Sequence, residues 1–111
     1  MDLEAIAKKI QMLEYHQSLL LKMNRNSQES FYKLIIEKTL TEDEVKQFYK
    51  DCEGLSRAYE EQKAEGFVYF HPLFEKFTRD LHPKLTAQEV ISACLTQGLY
   101  IPLMTELKKY L

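Results

Sequence analysis

An all-α fold is what this 111-residue sequence predicts: a single compact multihelical domain of about six helices, led by a heptad-patterned N-terminal helix. Three observations carry that expectation. Apolar residues recur at three- and four-residue spacing in segment after segment, which turns one helical face inward. Only three glycines (Gly54, Gly66, Gly98) and three prolines (Pro72, Pro83, Pro102) punctuate the chain, too few for the turns of an all-β architecture. Two Thr-x-x-Glu signatures, Thr41 with Glu44 and Thr86 with Glu89, mark helix starts where hydroxyl and carboxylate each satisfy an otherwise unpaired backbone N–H.

The first helix is expected from Asp2 to Met23. Leu3, Ile10 and Gln17 fall at heptad a positions and Ile6, Leu13 and Leu20 at d, a seam that faces a partner helix. Gln17 is the polar member, and a polar residue inside such a seam costs stability while fixing register and copy number. Asn24, Arg25, Asn26 and Ser27 break the helix and supply a cap for the next, expected over residues 28–38 with Phe31, Leu34 and Ile35 on one face. Residues 1–24 therefore read as an oligomerisation helix and 27–111 as the helical core. The competing arrangement folds helix one back on its own domain through Met12, Tyr15, Leu19, Leu21 and Met23.

Helix three should run from the Thr41 cap to Ala64, with Val45, Phe48, Cys52, Leu55 and Tyr59 inward and Gly66 as its stop. Gly54, in its middle, suggests close approach by another helix or a slight bend, the former favoured. The apolar run Phe67-Val68-Tyr69-Phe70 has no evident strand to pair with and reads as a buried extended connector. Pro72 suits the first turn of helix four (72–81), which carries Leu73, Phe74, Phe77 and Leu81 inward before His82-Pro83 end it. Helix five (87–97) follows the Thr86 cap with Val90, Ile91, Cys94 and Leu95 inward and ends at Gly98. Pro102 opens helix six (101–110), with Leu103, Met104 and Leu107 inward.

A formal charge of -2 offers no global attraction to phosphate backbones or anionic lipid. The charge is uneven: net +1 over residues 1–26, -4 over 27–65 and +1 over 67–111. Asp2 and Glu4 precede any apolar run, unlike a signal peptide, and no stretch approaches the roughly 20 apolar residues of a membrane span. A cytoplasmic protein is expected, with Cys52 and Cys94 as reduced core thiols.

The blocks Leu13-Glu14-Tyr15, Phe31-Tyr32, Gln62-Lys63-Ala64-Glu65-Gly66-Phe67-Val68 and Gln97-Gly98-Leu99-Tyr100, with Leu103-Met104 after them, run co-linearly through nearly the whole chain. In these blocks the sequence resembles the small YhaI-like proteins of bacilli, a group filed as a domain of unknown function. The resemblance implies a compact, all-helical, oligomeric cytosolic protein and transfers no catalytic residue. Members often place a proline ahead of the Phe-Tyr pair, where this chain has Glu29-Ser30.

The residues offer little chemistry. Neither cysteine has a histidine at helical spacing, and His16, His71 and His82 fit caps, loops or helix sides. No HxxxH, CxxC or di-iron spacing occurs, so no metal and no cofactor is expected. Glu42, Asp43 and Glu44 stand in a first helical turn, where negative charge offsets the helix dipole. No glycine-rich phosphate cradle exists. Helix five, read as a DNA-recognition helix, would expose Gln88, Ser92 and Thr96 without a basic residue, so no nucleic-acid partner is expected. A regulator of that class would need Lys76, Arg79, Lys84, Lys108 and Lys109 on one face.

The best candidate surface is the aromatic stretch from Phe67 to Phe74, with Phe67, Tyr69 and His71 forming a partner groove. The sequence thus reads as a non-enzymatic homo-oligomer, dimer or trimer, that works by binding another protein. The alternative is a ligand binder or small enzyme with a site between helices or at a subunit boundary.

Overall fold

In the computed structural model, residues 2–23 and 29–111 are described. The polar break expected at 24–27, and the expected first residue of the second helix, Gln28, lie outside them. Among the described residues the secondary structure is six helices and no strand: α1 Leu3–Met23, α2 Ser30–Glu37, α3 Glu42–Ala64, α4 His71–Asp80, α5 Ala87–Gln97 and α6 Ile101–Lys108.

Local chemistry sets the helix ends. Glu44 N–H donates to Thr41 Oγ1 at 3.2 Å while Glu44 Oε1 accepts from Thr41 N–H at 2.8 Å. Thr86 and Glu89 repeat the pattern at 3.3 and 2.9 Å. Each box silences two of the four N–H groups that a helix start leaves unpaired. Three helices stop in the same way, with a left-handed residue followed by an N–H that reaches back to the carbonyl five positions earlier. Phe67 N–H bonds Gln62 O after Gly66, Leu99 N–H bonds Cys94 O after Gly98, and Leu40 N–H bonds Ile35 O after Thr39. Glycine adopts φ of +94° and +81° at the first two stops without cost, whereas Thr39 holds φ 53° despite its branched side chain.

The core forms where α5 packs against α2 and α6, and where α3 packs against α4 and α6. Phe31, Cys52, Val90, Ile91, Cys94, Leu103, Met104 and Leu107 are fully enclosed there. Each such aliphatic or aromatic side chain contributes about 1.5–3 kcal/mol relative to leaving it in water. Phe31 stacks on Phe48 at 4.9 Å between ring centroids, which joins α2 to α3.

Two expectations are corrected here. A Cβ placed on Gly54 meets nothing within 4 Å, so no neighbouring helix approaches it. The connector 67–70 has no regular secondary structure and is not buried: Phe67, Val68 and Tyr69 are exposed, Val68 at 89%, and only Phe70 enters the core. Phe70 suffices to anchor the segment, because its N–H donates to Tyr110 Oη at 2.9 Å and its ring meets Tyr59 edge-on at 4.8 Å.

The radius of gyration is 17.4 Å and the extents are 62 × 29 × 18 Å. A compact chain of this length would have a radius near 13 Å. The excess comes from α1, which has no buried residue and leans on the rest of the protein only near its C-terminal end.

Candidate functional site

Helix α1 is the most exposed apolar element. Leu3, Ile6, Ile10, Leu13 and Leu20, the expected seam, are all exposed, Leu3 at 82% and Leu13 at 54%. Gln17, the sixth seam residue, is partly covered, and its side-chain amide donates to Ile36 O of α2 at 3.3 Å. Ser18 and Leu21 are the other partly covered residues of this helix. The fold-back arrangement is therefore confined to that corner, since Met12, Tyr15, Leu19 and Met23 are exposed as well. Met12, Tyr15 and Leu19 occupy heptad positions c and f, away from the seam, so α1 carries two apolar stripes.

The second predicted surface is partly assembled. Tyr69 and His71 are brought together, their rings stacked at 5.9 Å, and both meet Tyr110 edge-on, at 6.1 and 5.6 Å. His71 Nδ1 lies 3.2 Å from Glu75 Oε1, one turn along α4. Tyr110 donates to Glu106 Oε2 at 3.3 Å, which holds its ring in place. Phe67 is exposed at the start of the same segment but has no ring contact with this cluster among the described residues.

A third feature was not visible in the sequence. Leu40, Glu44, Gln47, Phe48, Asp51, Asp80, Leu81, His82 and Leu85 enclose a cleft of about 150 Å³ between α3 and the connection from α4 to α5. His82 Nε2 sits 2.5 Å from Glu44 Oε2, and His82 Nδ1 accepts from Lys84 N–H at 3.1 Å. Both imidazole nitrogens are thus occupied, which suits a strut between α3 and the loop better than a general base. The signal available in advance was faint, since Glu44 already had a sufficient role as a capping residue.

Burial, not activation, governs the thiols. Desolvation pushes Cys94 up to about 12 and Cys52 higher, the reverse of what a nucleophilic cysteine needs. Tyr100 is raised to about 12, first by burial and then by the acidic groups around it. Among the described residues no three His, Cys, Asp or Glu side chains are grouped to hold a metal ion. None of the described helices is long and apolar enough to cross a membrane. Of the basic residues considered for nucleic acid, Lys84 Nζ bonds Thr39 Oγ1 at 3.2 Å and Lys109 Nζ bonds Glu106 at 3.1 Å.

The fold and these surfaces define a small all-helical protein whose N-terminal helix stands largely clear of its helical core. The model of a family described as a protein of unknown function, DUF1878, matches residues 1–111, and the chain belongs to that family.

Proposed function

We propose that this is a non-catalytic cytoplasmic protein, YhaI-like within its family, that assembles with copies of itself through α1 and acts by binding another protein. The observation that carries the reading is a 21-residue helix that has no buried residue and is exposed along all but its Gln17, Ser18 and Leu21 corner. In proteins a helix takes most of its stability from an apolar face packed on a neighbour rather than from intrinsic propensity. Nine large apolar side chains of α1 are exposed. Five of them, Leu3, Ile6, Ile10, Leu13 and Leu20, line the seam and would be covered by a sister copy of α1. Lys9 and Glu14 occupy the flanking g and e positions, where they would pair across a parallel seam. The second stripe, Met12, Tyr15 and Leu19, and the Tyr69–His71 cluster are the surfaces left for a further protein.

Co-expression of tagged and untagged copies tests the assembly. The tagged chain should retain the untagged one through washing, and Leu13→Asp in both should abolish retention while leaving helix content nearly unchanged. Retention unaffected by Leu13→Asp would move the interface away from this seam.

A further inference from the structure

We propose that the cleft between α3 and the α4–α5 connection is a binding site for a small primary amine with one compact apolar end, a molecule of arylalkylamine size. The site uses no α1 residue and is independent of the assembly reading. Its floor is apolar: Phe48 and Leu85 are buried, and Leu40 and Leu81 are partly so. At about 150 Å³ it matches a cavity that accepts a benzene-sized group, and it falls below the roughly 300 Å³ at which drug-sized pockets begin. One ring or a short branched chain fills it.

The polar lining fixes the sign of the ligand. Glu44, Asp51 and Asp80 contribute carboxylates, and none of the described residues lining the cleft is Lys or Arg. Glu44 is engaged by His82, and Asp51 accepts from the Gln47 side-chain amide at 2.8 Å. Asp80, exposed at the end of α4, makes no side-chain hydrogen bond or ion pair among the described residues. Asp51 and Asp80 also share the lining of a shallower dimple of about 10 Å³ over Cys52, Leu55 and Phe77, so α3 and α4 each bring one carboxylate to a continuous apolar crevice. An ammonium group there gains charge-assisted hydrogen bonds that a neutral ring cannot make, while a carboxylate is repelled.

The full-length protein, ¹⁵N-labelled, is titrated with phenethylamine and separately with phenylacetate, which offers the same ring and the opposite charge. Saturable shifts are expected with phenethylamine at the amides of Leu40, Gln47, Asp51, Asp80, Leu81 and Leu85, and none with phenylacetate. Asp80→Asn, an exposed substitution that leaves the core intact, should weaken phenethylamine about fivefold. Equal binding of the two compounds, or no effect of Asp80→Asn, would overturn recognition by charge. No saturation with phenethylamine, or shifts elsewhere on the protein, would overturn the site.

Discussion

Glu44 serves two masters at once: Oε1 accepts the Thr41 backbone N–H at 2.8 Å, and Oε2 meets His82 Nε2 at 2.5 Å. One carboxylate therefore caps α3 and ties it to the loop that leads into α5. The Thr41 backbone N–H foremost, then its hydroxyl and the neighbouring His82, hold the Glu44 carboxyl below its ordinary 4.5 against the opposing effect of desolvation. A depressed carboxylate pKa adds stability above the unfolded value, and that addition disappears as pH falls through the folded one. Glu44→Gln should thus melt below wild type at pH 7, with the difference closing under pH 4.5. Thermal melts across that range check it; a gap independent of pH would contradict it.

Helix α2 takes its N-terminal cap from another helix. Glu29 provides no side-chain cap, and Gln97 Oε1, from the last turn of α5, accepts from Phe31 N–H at 2.8 Å and from Tyr32 N–H at 3.2 Å. Gln97→Ala should cost about 1 kcal/mol, the usual loss on deleting a cap. Gln97→Glu keeps the acceptor and sets a negative charge at a helix N-terminus, so it should retain wild-type stability or exceed it. Urea denaturation of the pair separates this role from simple packing, for which both variants would lose alike.

The contrast between these caps explains what the sequence disclosed. Thr41 with Glu44 and Thr86 with Glu89 are local pairs three residues apart, so both helix starts were legible in the chain. Gln97 lies 66 positions from Phe31, and no periodicity announces such a contact. The inward faces of α3, α5 and α6 were legible for the same reason as the caps, since period 3.6 is a local property. Phe67 to Tyr69 misled because hydropathy cannot tell a filled core from an unfilled one: Phe70 satisfies the anchor and its three predecessors stay outside. The cleft at Asp51, Asp80 and His82 draws on α3, α4 and the following loop, a convergence only tertiary structure creates.

Two substitutions should stabilise the protein. Thr39 occupies a left-handed position at φ 53° after α2, where glycine relieves a steric cost of about 1 kcal/mol. Gly54 is helical, exposed and surrounded by open space, so alanine there should add about 1 kcal/mol. Thr39→Gly and Gly54→Ala should each raise the melting temperature by several degrees and, being on separate elements, their gains should add. Destabilisation by Gly54→Ala would show an unrecognised constraint there, and destabilisation by Thr39→Gly would mean that the lost bond from Lys84 Nζ to Thr39 Oγ1 outweighs the relief of the backbone.

The alkaline limb of stability should be set by buried neutral groups. Burial raises Cys94 from 9.0 to about 12 and Tyr100 from 10.0 to about 12. With pKa values raised in the folded state, their contribution is complete below the unfolded values and is lost as pH climbs through the folded ones. Denaturation midpoints should hold steady up to about pH 9 and then decline. Cys94→Ala, though less stable at neutral pH for want of packing, should decline less steeply over that interval. An identical slope in the two proteins would rule out the thiol as a contributor.

Light scattering of the purified chain over a wide range of concentrations bears on the role of α1 without intermediaries. Wild type should register a whole-number multiple of 13.2 kDa, and Leu13→Asp should fall to 13.2 kDa with the helical core still folded. A wild-type mass of 13.2 kDa at every concentration, or a multimer indifferent to Leu13→Asp, would mean that α1 does not hold copies of this protein together.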